Sequence, residues 1–199
     1  MIPDNVLMLP SVTINNVPEL ETRRLVLREI RESDAEAYFE LCSHEPTMRA
    51  YGIPPHQKPA DTLATIEKLA SWLRDGSAIR WGLFERQNQH LIGDAGYWRF
   101  DRLRARGEIG AKIHPSFAGQ GLMREALEAV LDHSFSALHL HSVEAGIAPT
   151  NSASIRLFEK LGFQQEGYRR SFSYNAFEER FCDSLLFSLL DSDWERRKK

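Results

Sequence analysis

Two short segments carry residue types whose spacing could do chemistry. The first is Ser116-Phe117-Ala118-Gly119-Gln120-Gly121, which joins a strand-like run ending at His114-Pro115 to a long apolar-periodic run. Two glycines one residue apart let the backbone approach a ligand closely and adopt angles that other residues avoid. Free N–H groups and the dipole at a helix start favour an anion, so this loop can hold a phosphate or a diphosphate. A Gly-x-Gly pair alone also serves as an ordinary tight turn. Two phosphate loops do not fit: no Gly-x-x-x-x-Gly-Lys-Ser/Thr is present, and Arg124 stands where a dinucleotide fingerprint needs a third glycine. The second segment is Asn151-Ser152-Ala153-Ser154, followed by Phe158-Glu159-Lys160-Leu161-Gly162-Phe163. Taken singly, Asn151 reads as a helix N-cap, and Phe158 and Leu161 read as core.

The elements that must position these segments follow from periodicity. Arg24 to Glu29 alternates as a strand. Ser33-Asp34 starts a helix with Ala37, Tyr38 and Leu41 on one face. Pro54, Pro55 and Pro59 break the chain. A helix is then expected over Asp61 to Leu73, with Leu63, Ile66, Leu69, Ala70 and Leu73 on its apolar face. Ile79 to Glu85, Leu91 to Phe100 and Glu108 to His114 form an antiparallel meander. Gly119 to Leu138 is a long amphipathic helix, and His141 to Ile147 a strand. Thr150-Asn151 opens a helix closed by Gly162, and Phe163 to Tyr168 and Phe181 to Leu189 are two last strands. Helices separated by a block of adjacent strands predict an α/β (α+β) domain: one mixed, mostly antiparallel sheet with helices on both faces.

At 199 residues the chain fits one domain, at ~150 residues per domain, with a substantial core. The expected layout is an arm over 1–20, a domain over 21–193 and a solvated basic tail over 194–199. With 25 bases against 28 acids, the net charge of −3 argues against a general nucleic-acid partner. Cys42 and Cys182 form neither a disulfide framework nor a metal set, which suits a reducing compartment. No run approaches the ~18 apolar residues of a membrane span, and no signal pattern opens the chain, so a cytoplasmic protein without a membrane partner is expected. His139 and His141, two residues apart, would share one face of an extended strand but have no third ligand at metal spacing, so no metal is expected.

Together the two segments carry a resemblance. Glu108-Ile-Gly, Gly119-Gln-Gly121-Leu-Met-Arg-Glu125-Ala-Leu and Asn151-Ser-Ala-Ser154 through Phe163 resemble the GNAT superfamily of N-acetyltransferases. Arg24-Leu-Val-Leu-Arg, Ile92-Gly93-Asp94-Ala-Gly96 and Glu166-Gly167-Tyr168 resemble its branch that acetylates the N-terminal alanine of ribosomal proteins. The resemblance spans about residues 22 to 193. It implies a sheet splayed after the Glu108–His114 strand, with acetyl-CoA as co-substrate. The pantetheine arm would pair with backbone near Ile113 and His114. The diphosphate would sit on Gly119, Gln120, Gly121, Leu122 and Met123, with Arg124 nearby, and Asn151, Ser154 and Phe158 would complete the cofactor side. The superfamily's usual Gln or Arg is replaced by Ala118, and the Tyr of many relatives, a general acid, is replaced by Phe158.

Acetyl transfer needs a neutral amine, a polarised carbonyl and a protonated or hydrogen-bonded leaving thiolate. A protein N-terminus, with a pKa of ~7.7–8.0, asks little base strength. Glu108 is the candidate base, directly or through a water, and Asp94 a weaker one. Ser154 is the candidate donor to the sulfur. Trp98 or Tyr174 could line the acceptor pocket, whereas Trp81, Tyr97 and Phe172 are core or cleft wall. Ser152 and Cys182 have no placed base for a covalent route. The expected function is direct transfer from acetyl-CoA to a protein N-terminus or a small amine, by a monomer or homodimer. A non-catalytic acyl-CoA-binding module remains the alternative, because Phe158 has no proton to give. A nucleotide-binding protein is a third.

Overall fold

The computed structural model describes residues 16–198; the expected arm lies mostly outside the described residues. Its centre is one eight-stranded sheet. The strands are β1 (Leu20–Glu21), β2 (Leu25–Arg28), β3 (Ile79–Glu85), β4 (Leu91–Asp101), β5 (Arg106–Ile113), β6 (Ser142–Ile147), β7 (Gln164–Asn175) and β8 (Arg180–Leu190). They lie in the order β1-β2-β3-β4-β5-β6-β8-β7, and every neighbouring pair is antiparallel except β5 and β6. Those two run parallel because a helix, α4 (Leu122–Ser136), crosses between them.

The helices cover both faces, as the element order predicts. On one face α4, α5 (Ser152–Lys160) and the residue that caps α5, Leu161, bury Leu122, Ala126, Leu127, Val130, Leu131, Phe158 and Leu161 against Leu25, Leu27, Trp81, Tyr97 and Ile109. On the other, α1 (Ala35–Ser43), α2 (Glu45–Tyr51) and α3 (Pro59–Arg74) place Tyr38, Leu41, Cys42, Met48 and Ile66 on Ile30, Phe84 and Leu91. Each fully buried large side chain contributes about 1.5–3 kcal/mol. Trp81 and Tyr97 are core, whereas Phe172 and Tyr174 are exposed.

Several boundaries differ from the sequence reading for local reasons. Pro59 begins α3 instead of breaking the chain, since the first helical position needs no N–H donor. Leu63 falls outside its apolar face and is 44% exposed. The short helix α2 went unforeseen; it is fixed by the His44 ring accepting from the Thr47 N–H and by left-handed Gly52 at its end. Helix α4 starts only at Leu122, because Gly119 and Gly121 both have positive φ. His139 and His141 lie in the loop before β6, not on a strand. Helix α6 (Asp191–Arg197) crosses the expected 193/194 boundary and buries Trp194. Among the described residues, no His, Cys, Asp and Glu cluster could hold a metal, and no helix is long and apolar enough to cross a membrane.

Candidate active site

Strands β5 and β6 pair over only three positions: Arg106 with Ser142, Gly107 with Val143, and Glu108 with Glu144. Beyond Glu108 each continues on its other neighbour alone, β5 along β4 to Ile113 and β6 along β8 to Ile147. The sheet therefore opens into a wedge. Backbone register shows what lines it. The His114 N–H donates to the Ile92 carbonyl at 2.8 Å. In an antiparallel ladder bonding alternates, so Gly110, Lys112 and His114 bond to β4, while Ile109, Ala111 and Ile113 turn their N–H and C=O toward the wedge. Ile113 is thus placed to pair with an extended amide-bearing ligand. His114 is not, since its carbonyl also accepts from the Phe117 N–H.

The loop at the wedge's end is built from two left-handed glycines, Gly119 at φ +76 and Gly121 at φ +77. Other L-residues pay roughly 1–2 kcal/mol for this conformation. A Cβ at Gly119 would meet nothing within 4 Å, so the backbone there is open to an approaching group. Gly121 is the N-cap of α4 and supplies no side-chain cap, leaving first-turn N–H groups of Leu122, Met123 and Arg124 for a ligand. The dipole adds about 0.3–1 kcal/mol, so the array of N–H donors has to do most of the holding. Leu122 and Met123 bury their side chains in the core and offer backbone only. Gln120 donates to the Ser116 carbonyl at 3.0 Å, and Arg124 pairs with Glu128 at 2.9 Å along the helix.

Arg24, from β2's approach, was not singled out as a site residue from sequence. Its Nε meets Glu125 at 2.7 Å, and its Nη1 donates to the Gln120 carbonyl at 3.0 Å. The Arg24 N–H and the Thr22 hydroxyl also donate to Glu125, each at 2.7 Å. Burial pushes the Glu125 carboxyl up, but Thr22 and Arg24 outweigh it and hold its pKa below the ordinary value. This clamp fixes the loop on the sheet. No spacing rule links positions a hundred residues apart.

On α5, Asn151 is the N-cap, its Oδ1 accepting from the Ser154 N–H at 3.1 Å. Ser154 is half-buried in the first turn, and Phe158, one turn on, packs edge-on against Phe163 at 4.9 Å. This helix belongs to the α4 face. Glu108 belongs to the other: a Cβ at Gly110, on the same side of β5, would meet Tyr51 and Trp98. Glu108 is partly buried at the mouth of the wedge and pairs with Arg99 at 2.8 Å. Trp98, 41% exposed, stands beside Tyr51 at 5.4 Å between ring centres, while Tyr174 packs on Phe181. Glu108 and the helix that carries Ser154 thus lie on opposite sides of the sheet.

Asp94 is a different kind of group. It is wholly buried, ion-paired to Arg80 and to Lys112 (2.5 Å), and accepts from the Tyr38 hydroxyl at 3.0 Å. Burial pushes its carboxyl up, but the two cations win and hold it at about 2. A carboxylate so tightly held cannot collect a proton, which removes Asp94 from the candidate bases.

Residues 24–164 match the family described as Acetyltransferase (GNAT) domain. The chain is 36% identical over 157 residues to the uncharacterized N-acetyltransferase YoaA of Bacillus subtilis (strain 168), covering 79% of this chain and 89% of that one. It is 30% identical over 190 residues to the [ribosomal protein uS5]-alanine N-acetyltransferase of Escherichia coli (strain K12), covering 90% and 95%. The spermidine N-acetyltransferase of Vibrio cholerae, solved with CoA and spermine, has a TM-score of 0.75 and 24% identity, covering 87% of this chain and 99% of that one. At that identity the likeness is one of fold.

Proposed function

The chain belongs to the GNAT acetyltransferase family, and on that premise we propose that it moves the acetyl group of acetyl-CoA directly to a primary amine, a protein N-terminus or a small amine. It is an acyltransferase by family; the acceptor and the roles below are our reading. The observation that carries it is the wedge that opens beyond Glu108 and Glu144 and ends at the left-handed Gly119–Gly121 loop.

The residues fit an extended acyl-CoA. Gly119, Gln120, Gly121 and the first-turn N–H groups of Leu122, Met123 and Arg124 hold its diphosphate. Ile113 pairs its backbone with the pantetheine amides, and Asn151, Ser154 and Phe158 border its thioester end. From the opposite face Glu108 takes the proton of the incoming amine, directly or through a water. As nitrogen bonds to the carbonyl carbon and the carbon–sulfur bond breaks, Ser154 donates a hydrogen bond to the sulfur. Holding both reactants in one wedge supplies much of the acceleration.

The test is thiol release from acetyl-CoA across an amine panel, with Glu108→Gln and Ser154→Ala beside the wild type. Turnover on one amine class, lost in Glu108→Gln with cofactor binding retained, is expected. Tight acetyl-CoA binding with no turnover on any amine favours a non-catalytic binding module.

A further inference from the structure

Two buried side-chain polar groups have no acceptor for their protons among the described residues: the Tyr51 hydroxyl, whose oxygen has only the Arg80 guanidinium beside it as a donor, and Arg169 Nε. Leaving a buried polar group unpaired costs about 1–3 kcal/mol, so each needs a reason. Both border the same opening. A Cβ at Gly110 would lie 3.1 Å from the Tyr51 oxygen. A Cβ at Gly146 would lie 3.2 Å from Arg169 Nη2 and 3.7 Å from Glu108 Oε1. Gly110 stands two residues past Glu108 on β5, and Gly146 two past Glu144 on β6. Tyr51 and Arg169 therefore flank the wedge from its two sides, on the face that carries Glu108. The two glycines keep the space between them open.

The chemistry of the orphans narrows what enters. A guanidinium can only donate, and it stays charged. Burial raises the Tyr51 pKa against the charges of Arg80 and Lys112 and against the Arg80 guanidinium that donates toward its oxygen, so the hydroxyl keeps its proton and has that proton to donate. No carboxylate among the described residues pairs with Arg169, whose guanidinium lies 3.7 Å over the Phe172 ring. Behind Tyr51, Arg80 and Lys112 set two positive charges against the single Asp94. Arg99 already matches the charge of Glu108. This face carries unused donors and a positive excess. A polyamine brings only more of both.

We infer that the acceptor carries a carboxylate beside its amine, as an α-amino acid does, with Arg169 and Tyr51 donating to the carboxylate while the amine faces Glu108. This rests on the acetyltransferase reading above. It makes Arg169 and Tyr51 the residues that select the acceptor.

The test compares each of the common amino acids with its own C-terminal amide, a short peptide and spermidine, by thiol release from acetyl-CoA. The best amino acid should exceed its amide in kcat/KM by tenfold or more, with spermidine below both. Arg169→Met should bring the acid-to-amide ratio near one, and Tyr51→Phe should lower it several-fold, with melting curves checking the fold. A second reading needs no turnover: calorimetry of the CoA-loaded protein with an N-acetyl amino acid and with its amide. An Arg169-dependent preference for the acid there supports the carboxylate site even if no amine is acetylated, in which case the enzymatic reading alone fails. Equal binding and equal rates for acid and amide, a better rate with peptide or spermidine, or an unchanged ratio in Arg169→Met overturns the inference.

Discussion

Glu108 and Glu144 stand side by side as the last parallel pair of β5 and β6, each held by an arginine, Glu108 by Arg99 and Glu144 by Arg106, both at 2.8 Å. Adjacent like charges repel, and the two arginines offset that. The holds are loose. Arg99 is 71% exposed, and such a pair contributes about 0–1 kcal/mol. An arriving amine can therefore take the place of Arg99 at Glu108 at little cost, where the wedge begins.

Glu108→Gln keeps the shape and removes the proton acceptor. Positioned bases contribute about 10²–10⁴-fold. We expect kcat to fall by about 10²-fold or more, with acetyl-CoA affinity within twofold, measured by thiol release and calorimetry. A fall in affinity with kcat unchanged would make Glu108 a structural ion-pair residue.

Gly121→Ala places a Cβ on a residue at φ +77, next to the Arg24 guanidinium at 3.6 Å. The conformation costs about 1–2 kcal/mol, and each kcal/mol shifts Tm by about 2–4 °C in a chain of this size. A drop of about 2–8 °C is expected. Because the first-turn N–H groups shift with the cap, the acetyl-CoA KM should rise about tenfold or more. A normal KM would mean that the diphosphate is held elsewhere.

What the sequence made legible was whatever repeats locally. The Ile79–Glu85 strand, the strand pattern of β4 and β5 and the Asn151 cap follow from spacing over a few residues, and they appear where expected. The wedge was legible only through resemblance, because the end of pairing after Glu108 depends on where β6 goes. Helix α2 has too few apolar positions to show a period, yet it brings Tyr51 to the wedge. Arg24, Tyr51 and Arg169 come from β2's approach, α2 and β7, and only the folded sheet gathers them. Asp94 looked like a candidate base because sequence shows a carboxylate but not the two cations that hold it.

That pairing sets a pH dependence. The Asp94 carboxyl is held at about 2, below its ordinary 3.8, so it stabilises the fold fully above about pH 4. The contribution, about 2 kcal/mol, is lost as pH falls through 2. Asp94→Asn leaves Arg80 and Lys112 buried without a counter-charge, at a cost of about 3–5 kcal/mol. Melting curves from pH 6 to 2 should show the variant about 10 °C lower at pH 6 and flatter than the wild type between pH 4 and 2. Adding Lys112→Met to Asp94→Asn should recover part of the loss.

Ser154 and Phe158 lie four residues apart on α5, so they share one face of the helix, one turn from each other. If Ser154 donates to the departing sulfur, Ser154→Ala should lower kcat about tenfold and leave the acetyl-CoA KM within twofold. Phe158→Tyr restores, one turn along, the hydroxyl that many family members carry. In the Ser154→Ala background it should recover much of the lost kcat, because either hydroxyl can meet the same sulfur from that face. Phe158 is 5% exposed and packed on Phe163, so the added oxygen must find a partner in the wedge or destabilise the core. A Ser154→Ala, Phe158→Tyr protein that melts like the wild type yet stays as slow as Ser154→Ala would place the sulfur beyond the reach of this helix face.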